Sequence, residues 1–156
     1  MLSPTQRAET IRQIRQAPGE VAGLLAGMSP ERLDQPCRPG EWTVRQVVHH
    51  MADAAINQVI RMKLVLTEDE PTLQPFDQDD WVELADVCQG APQLSLAILQ
   101  GTMERIALLL AAQPEDSWSR AGIHLEAGRQ TLEQLAVHCA GHAQAHLEQL
   151  RAARQG

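Results

Sequence analysis

Apolar residues recur at helical spacing in four long stretches of this chain, separated by segments rich in turn formers. The first opens at Ser3-Pro4, an N-cap followed by a proline at the first helical position, and runs on through Ala8, Ile11 and Ile14. Pro18-Gly19 interrupts it, as a kink or as a boundary, before Val21, Leu24 and Leu25 resume the period up to Gly27. Ser29-Pro30-Glu31-Arg32 reads as a single capped turn. The second stretch follows the turn residues Cys37 to Glu41, with Thr43 and Gln46 at capping-box spacing. Its apolar line, Val44, Val48, Met51, Ala55, Val59, Met62 and Leu66, stops at Glu68-Asp69-Glu70-Pro71.

The third stretch spans Pro92 to Gln113, with Leu96, Leu99, Met103, Ile106 and Leu110 on one face, and Pro114 closes it. The fourth starts at Thr131 and Gln134, again at capping-box spacing, and its stripe is Leu132, Leu135, Ala136, Cys139, Ala143, Leu147 and Leu150. Residues 71–90 hold no sustained period beyond a short turn around Trp81 to Leu84. A connection of that length is either a lid over a cleft or a plain crossover between distant helix ends. Residues 115–130 are polar and irregular, with Ala127-Gly128 placed to turn a short hairpin. The sum is an all-α chain: a single four-helix-bundle domain over residues 1–156, with a long crossover between helices two and three.

Composition agrees with helices, since Leu, Ala, Gln, Glu and Arg dominate and there is no Tyr and one Phe. The net charge of −7, with 13 Lys and Arg scattered along the chain, argues against a nucleic-acid partner. The N-terminus has no signal pattern and no apolar run approaches the roughly 20 residues of a membrane span, so the expectation is a cytoplasmic protein without a membrane partner. Cys37, Cys88 and Cys139 form no C-x-x-C pair, and Cys139 sits on the buried stripe as a small core residue.

The candidate chemistry lies in histidines. His138, His142 and His146 stand four residues apart, a ladder down one side of the fourth helix. By rotation from the apolar centre His146 lies at about 40°, His142 at about 80° and His138 at about 120°. The pair nearest the interior is therefore His142 and His146, with His138 reaching water. Helix-compatible polar residues flanking a core are the alternative reading of the same ladder. His49 and His50 lie about 100° apart on the second helix, so only one of them can face a given site. Periodicity leaves both a little over a right angle from the apolar centre. Their company separates them: His50 shares a line with Ala54, Asn57 and Arg61, and His49 a side with Asp53, Ile56 and Ile60. Asn57 and Arg61 can equally be a solvated face.

The run Arg38-Pro39-Gly40-Glu41-Trp42-Thr43-Val44-Arg45-Gln46-Val47-Val48-His49-His50-Met51-Ala52-Asp53 closely resembles the signature of the DinB/YfiT-like superfamily, in its YfiT-like branch. Asn57, Arg61 and Lys63 continue the match, as do Leu66 to Asp69 with Pro71-Thr72, Trp81 with Glu83-Leu84, and His124 with Glu126 and Gly128. The resemblance covers roughly residues 30–150. It implies a four-helix bundle and one divalent metal ion, Zn²⁺ or Ni²⁺, held by His50, His142 and His146. It also implies a metal-dependent enzyme acting on a small molecule. Relatives are known as metal-dependent hydrolases, and several transfer or isomerise with a low-molecular-weight thiol such as bacillithiol or mycothiol. The expectation is thiol transfer from a metal-bound thiolate. Hydrolysis by metal-bound hydroxide is the alternative, and a non-catalytic metal-binding bundle the second alternative.

In this scheme Trp42, Asn57 and Arg61 contact thiol or substrate, and His49 or His138 relays protons. A homodimer is implied by the resemblance alone, with no exposed apolar stripe to support it. Two departures stand out: Met103-Glu104-Arg105-Ile106 replaces a His-Arg-Trp-like element, and His138-Cys139-Ala140-Gly141 replaces a Trp-His-Gly run. They leave metal ligation intact and put the likeness of the substrate pocket in question.

Overall fold

Four long helices carry the core of the computed structural model, which describes residues 1–155: α1 (Pro4–Leu25), α3 (Val44–Thr67), α6 (Pro92–Ala111) and α7 (Leu132–Gln155). Short helices α2 (Pro30–Leu33), α4 (Gln78–Trp81) and α5 (Ala85–Gln89) and three short strands lie in the connections. Both predicted capping boxes form, and the predicted N-cap Ser3 makes a third. Ser3 and Gln6 close α1 reciprocally, Thr43 and Gln46 close α3, and Thr131 and Gln134 exchange hydrogen bonds at the start of α7.

Pro18 is neither a boundary nor an end, because α1 continues through it. A proline inside a helix costs about 3 kcal/mol. Ile14, Ala17 and Val21 flank it and are fully buried, and each large aliphatic side chain so placed contributes about 1.5–3 kcal/mol. Burial on both sides of the proline outweighs its local cost.

The helices neighbour one another in the cycle α1, α6, α3, α7. Helices consecutive in sequence, α1 with α3 and α6 with α7, are therefore diagonal. Side-chain ties fix the directions. Leu2 donates to Glu133 at one end and Arg154 to the Gly23 and Leu24 carbonyls at the other, so α1 and α7 run parallel. The contacts of Arg45 and His49 with Gly90, and of His49 with Ser95, bring the start of α6 to the start of α3, so these two also run parallel. Arg120, just before α7, reaches the Val65 carbonyl near the end of α3, which sets the two pairs antiparallel. Parallel neighbours require the chain to travel back along a helix of 24 residues, about 36 Å. That is the physical reason for the long crossover from residue 68 to 91.

The crossover is pinned by a small sheet that periodicity did not reveal. Strand β1 (Thr72–Leu73) pairs parallel with β2 (Ala121–His124), and β2 pairs antiparallel with β3 (Gly128–Thr131). Gly128, at φ +72°, makes the hairpin turn. At Gly122 a Cβ would stand 2.7 Å from the Pro71 carbonyl oxygen, so only glycine lets β1 lie this close. The sheet delivers Gln74, Phe76 and Gln78 to the same side of the bundle as His50.

Helix α6 has the length and apolar composition of a membrane-crossing helix, contrary to the expectation from the sequence. It buries Leu99, Met103, Ile106 and Leu110 in the bundle core, packs against α1 and α3, and exposes Glu104 and Arg105.

Candidate metal centre

Two antiparallel helices bring three imidazoles together. His142 and His146 project from successive turns of α7, and His50 faces them from the first half of α3. The Nε2 atoms of His50 and His142 are 2.9 Å apart, and those of His146 and His142 are 3.1 Å apart. One candidate ligand atom from each ring lies within 4.8 Å of the other two.

The donor set fits a divalent ion. Two nitrogens about 2.05 Å from one ion are separated by about 2.9 Å at a right angle and about 3.3 Å at the tetrahedral angle. Hydrogen bonding alone does not explain the cluster. His146 Nδ1 lies 2.7 Å from Gln149 Oε1, an acceptor, so the ring proton sits on Nδ1 and Nε2 carries the lone pair. His142 Nε2 faces this nitrogen and His50 Nε2 at once, and has at most one proton to share. Burial pushes the pKa of His50 down to about 4 and that of His142 to about 3, the neighbouring imidazoles adding to the effect. His146 is lowered by burial as well. All three rings are neutral at pH 7, the form that binds metal.

Trp42 walls the centre, its ring centroid 4.8 Å from that of His50 and its plane nearly parallel to the His146 ring at 6.3 Å. Phe76 of the crossover stands 6.2 Å from His50. A hollow of about 410 Å³ opens beside the imidazoles, lined by Trp42, Glu41, Gln78, His142, His146 and Gln149. Glu41 Oε2 is buried there without a partner.

The other residues singled out in the sequence fall elsewhere. His49 is turned away: its Nδ1 accepts from the Ser95 hydroxyl at 2.7 Å and its Nε2 donates to the Gly90 carbonyl at 3.2 Å. Its ring ties α3 to α6, so the structure gives no support to a proton relay through it. His138 is exposed, its ring stacked 6.0 Å from His142 over a neighbouring hollow. Asn57 donates to the Asp53 carbonyl of its own helix and lines neither hollow, whereas Arg61 reaches the one that holds His138. Gln149 was legible as the i+3 neighbour of His146. Phe76 and Gln78 carried no signal, because the fold of the crossover brings them to the site.

Comparison with known proteins agrees with this geometry. The profile of the DinB superfamily matches residues 13–150. A protein of Geobacillus kaustophilus is 38% identical over 149 residues, covering 94% of this chain and 83% of its own. YfiT of Bacillus subtilis is 38% identical over 123 residues, covering 79% and 69%. Both carry names proposing a metal-dependent hydrolase. The solved structure of Bacillus subtilis YfiT, described as "a probable metal-dependent hydrolase with an unusual four-helix bundle topology", superposes with a TM-score of 0.96 at 33% identity, covering 99% of this chain and 89% of that one. With its diagonal bundle, its pinned crossover and a profile match along most of its length, the chain belongs to the DinB superfamily, in the YfiT-like branch.

Proposed function

We infer that the protein transfers a low-molecular-weight thiol of the bacillithiol type to an electrophilic small molecule, at a divalent ion held by His50, His142 and His146. The observation that carries this reading is the donor set: three neutral imidazoles and, among the described residues, no carboxylate in the group. These three residues would hold the ion without offsetting its charge, and it would supply the Lewis acidity that lowers a thiol pKa toward neutral pH. In the transfer a sulfur–carbon bond forms, the leaving group departs with its electron pair, and the thiol proton passes to solvent. Gln149 holds the His146 ring in its ligating tautomer. Trp42 and Phe76 shield the centre from bulk water on two sides.

One observation favours hydrolysis as a second reading: Glu41, whose Oε1 pairs with Arg38, lines the same hollow with Oε2 unpartnered, and such a carboxylate would serve as the base for an attacking water. Turnover separates the two. Zinc-loaded protein is expected to join bacillithiol to monochlorobimane at a rate that depends on thiol concentration, and to retain that activity in Glu41→Gln. Ester hydrolysis without thiol, lost in Glu41→Gln, overturns thiol transfer in favour of hydrolysis.

A further inference from the structure

Across Gln78 from the imidazoles lies the second hollow, of about 440 Å³, which shares Gln78 with the first. Gln58, Arg61, Phe76, His124, Glu126 and His138 are among its walls. Two of these are buried polar groups: one keeps its charge without an ion pair, and the other has an acceptor without a donor. Arg61 is 9% exposed, and its Nε and one terminal nitrogen donate to the Gln74 carbonyl at 3.2 and 2.5 Å. Among the described residues no carboxylate forms an ion pair with it. A guanidinium so buried ordinarily has an anion beside it. Gln58 is 5% exposed, and its Oε1 has no hydrogen-bond partner.

The remaining walls are mixed in sign, with Glu126 favouring the Arg61 charge from a distance. His124 Nδ1 accepts from the backbone amides of Glu126 and Ala127, which leaves Nε2–H as the donor of that ring. Asp77, also in the wall, spends its carboxylate capping α4 through the Asp79 and Asp80 amides. Glu126 is exposed at the rim.

We propose that this hollow binds a small-molecule carboxylate that also bears an N–H or O–H donor, the carboxylate meeting Arg61 and the donor meeting Gln58 Oε1, while the reacting end of the ligand lies at the imidazoles. The assignment rests on the metal-centre reading for its direction but not for its chemistry. Two sources share that chemistry, the thiol itself or the electrophile that receives it.

N-acetyl-L-cysteine, N-acetyl-L-serine and their methyl esters test it by calorimetric titration of the zinc-loaded protein. Each acid offers a carboxylate and an amide N–H, and each ester removes only the charge. An acid is expected to bind about tenfold more tightly than its ester, as a charged hydrogen bond warrants. That preference vanishes in Arg61→Gln and in Gln58→Glu, which sets a carboxylate beside the guanidinium; zinc content stays unchanged in both. Should Arg61→Gln fail to fold, Gln58→Glu still decides. A preference in both pairs assigns the hollow to the carboxylate of the thiol, and one in the serine pair alone assigns it to that of the electrophile.

The serine pair, titrated into metal-free protein, reads the hollow without thiol chemistry. A serine preference with no gain from sulfur therefore sinks the thiol reading and keeps the subsite. Equal binding of acid and ester, or a preference that survives in both variants, overturns the subsite.

Discussion

His49 and His50 are neighbours in sequence and nearly equal in burial, 5% and 2% exposed, yet the structure gives them opposite roles. His49 meets a hydroxyl donor on one nitrogen and a carbonyl acceptor on the other, so its hydrogen-bonding capacity is filled from within the bundle. His50 turns Nε2 to 2.9 Å from His142 Nε2, which also faces His146 Nε2, and these three nitrogens cannot all be satisfied by one another's protons. A buried histidine is thus structural or ligating according to the sign of its partners, and burial by itself does not distinguish the two.

The sharpest break of this comparison is by truncation. His142→Ala removes the nitrogen that both other rings face, and thiol conjugation should fall to the uncatalysed rate, as product formation in a coupled fluorescence assay will show. Next in size is Gln149→Leu, which frees His146 Nδ1. Zinc affinity is expected to fall about 10–100-fold by competition with a chromogenic chelator, with the fold intact. His49→Ala should act on stability instead. It leaves the Ser95 hydroxyl without its acceptor and weakens the α3–α6 tie, a loss of about 1–3 kcal/mol in urea unfolding, with zinc affinity unchanged.

The smallest effect is on acid stability without metal. Each ligating imidazole has its folded pKa depressed below the ordinary 6.5, to about 4 for His50 and about 3 for His142. Below pH 6.5 the unfolded chain takes up these protons and the folded chain does not, so stability is full above that pH and is lost as pH falls toward 4 and then 3. The urea midpoint of the metal-free protein should be level above pH 7 and decline from 6.5 to 5, before ordinary carboxylates titrate. The decline should be shallower in His142→Ala.

Much of this was legible in the sequence because helices announce themselves. Two capping boxes, the Ser3-Pro4 start and four apolar stripes gave the bundle, and the rotation of the α7 histidines separated the inner pair, His142 and His146, from the exposed His138. Pro18 was ambiguous because the packing that tolerates it is tertiary. The parallel pairing of β1 with β2 was invisible for a similar reason: two residues carry no period, and the strand exists because Gly122 lets it approach. The same limit hid Phe76 and Gln78. Arg61 and Asn57 looked alike on one helical line, and the Gln74 carbonyl, set by the crossover, is what draws Arg61 to the hollow while Asn57 folds back onto Asp53. Residue type and period find a ligand ladder; the connections decide what stands around it.

Elemental metal content, measured after purification without a nickel column, tests the account most directly. Wild type is predicted to hold about one divalent transition-metal ion per chain, retained in His49→Ala and lost in both His50→Ala and His142→Ala. A wild-type chain that carries no ion and takes up neither Zn²⁺ nor Ni²⁺ would contradict the account, as would loss of the ion in His49→Ala to the same extent as in His50→Ala.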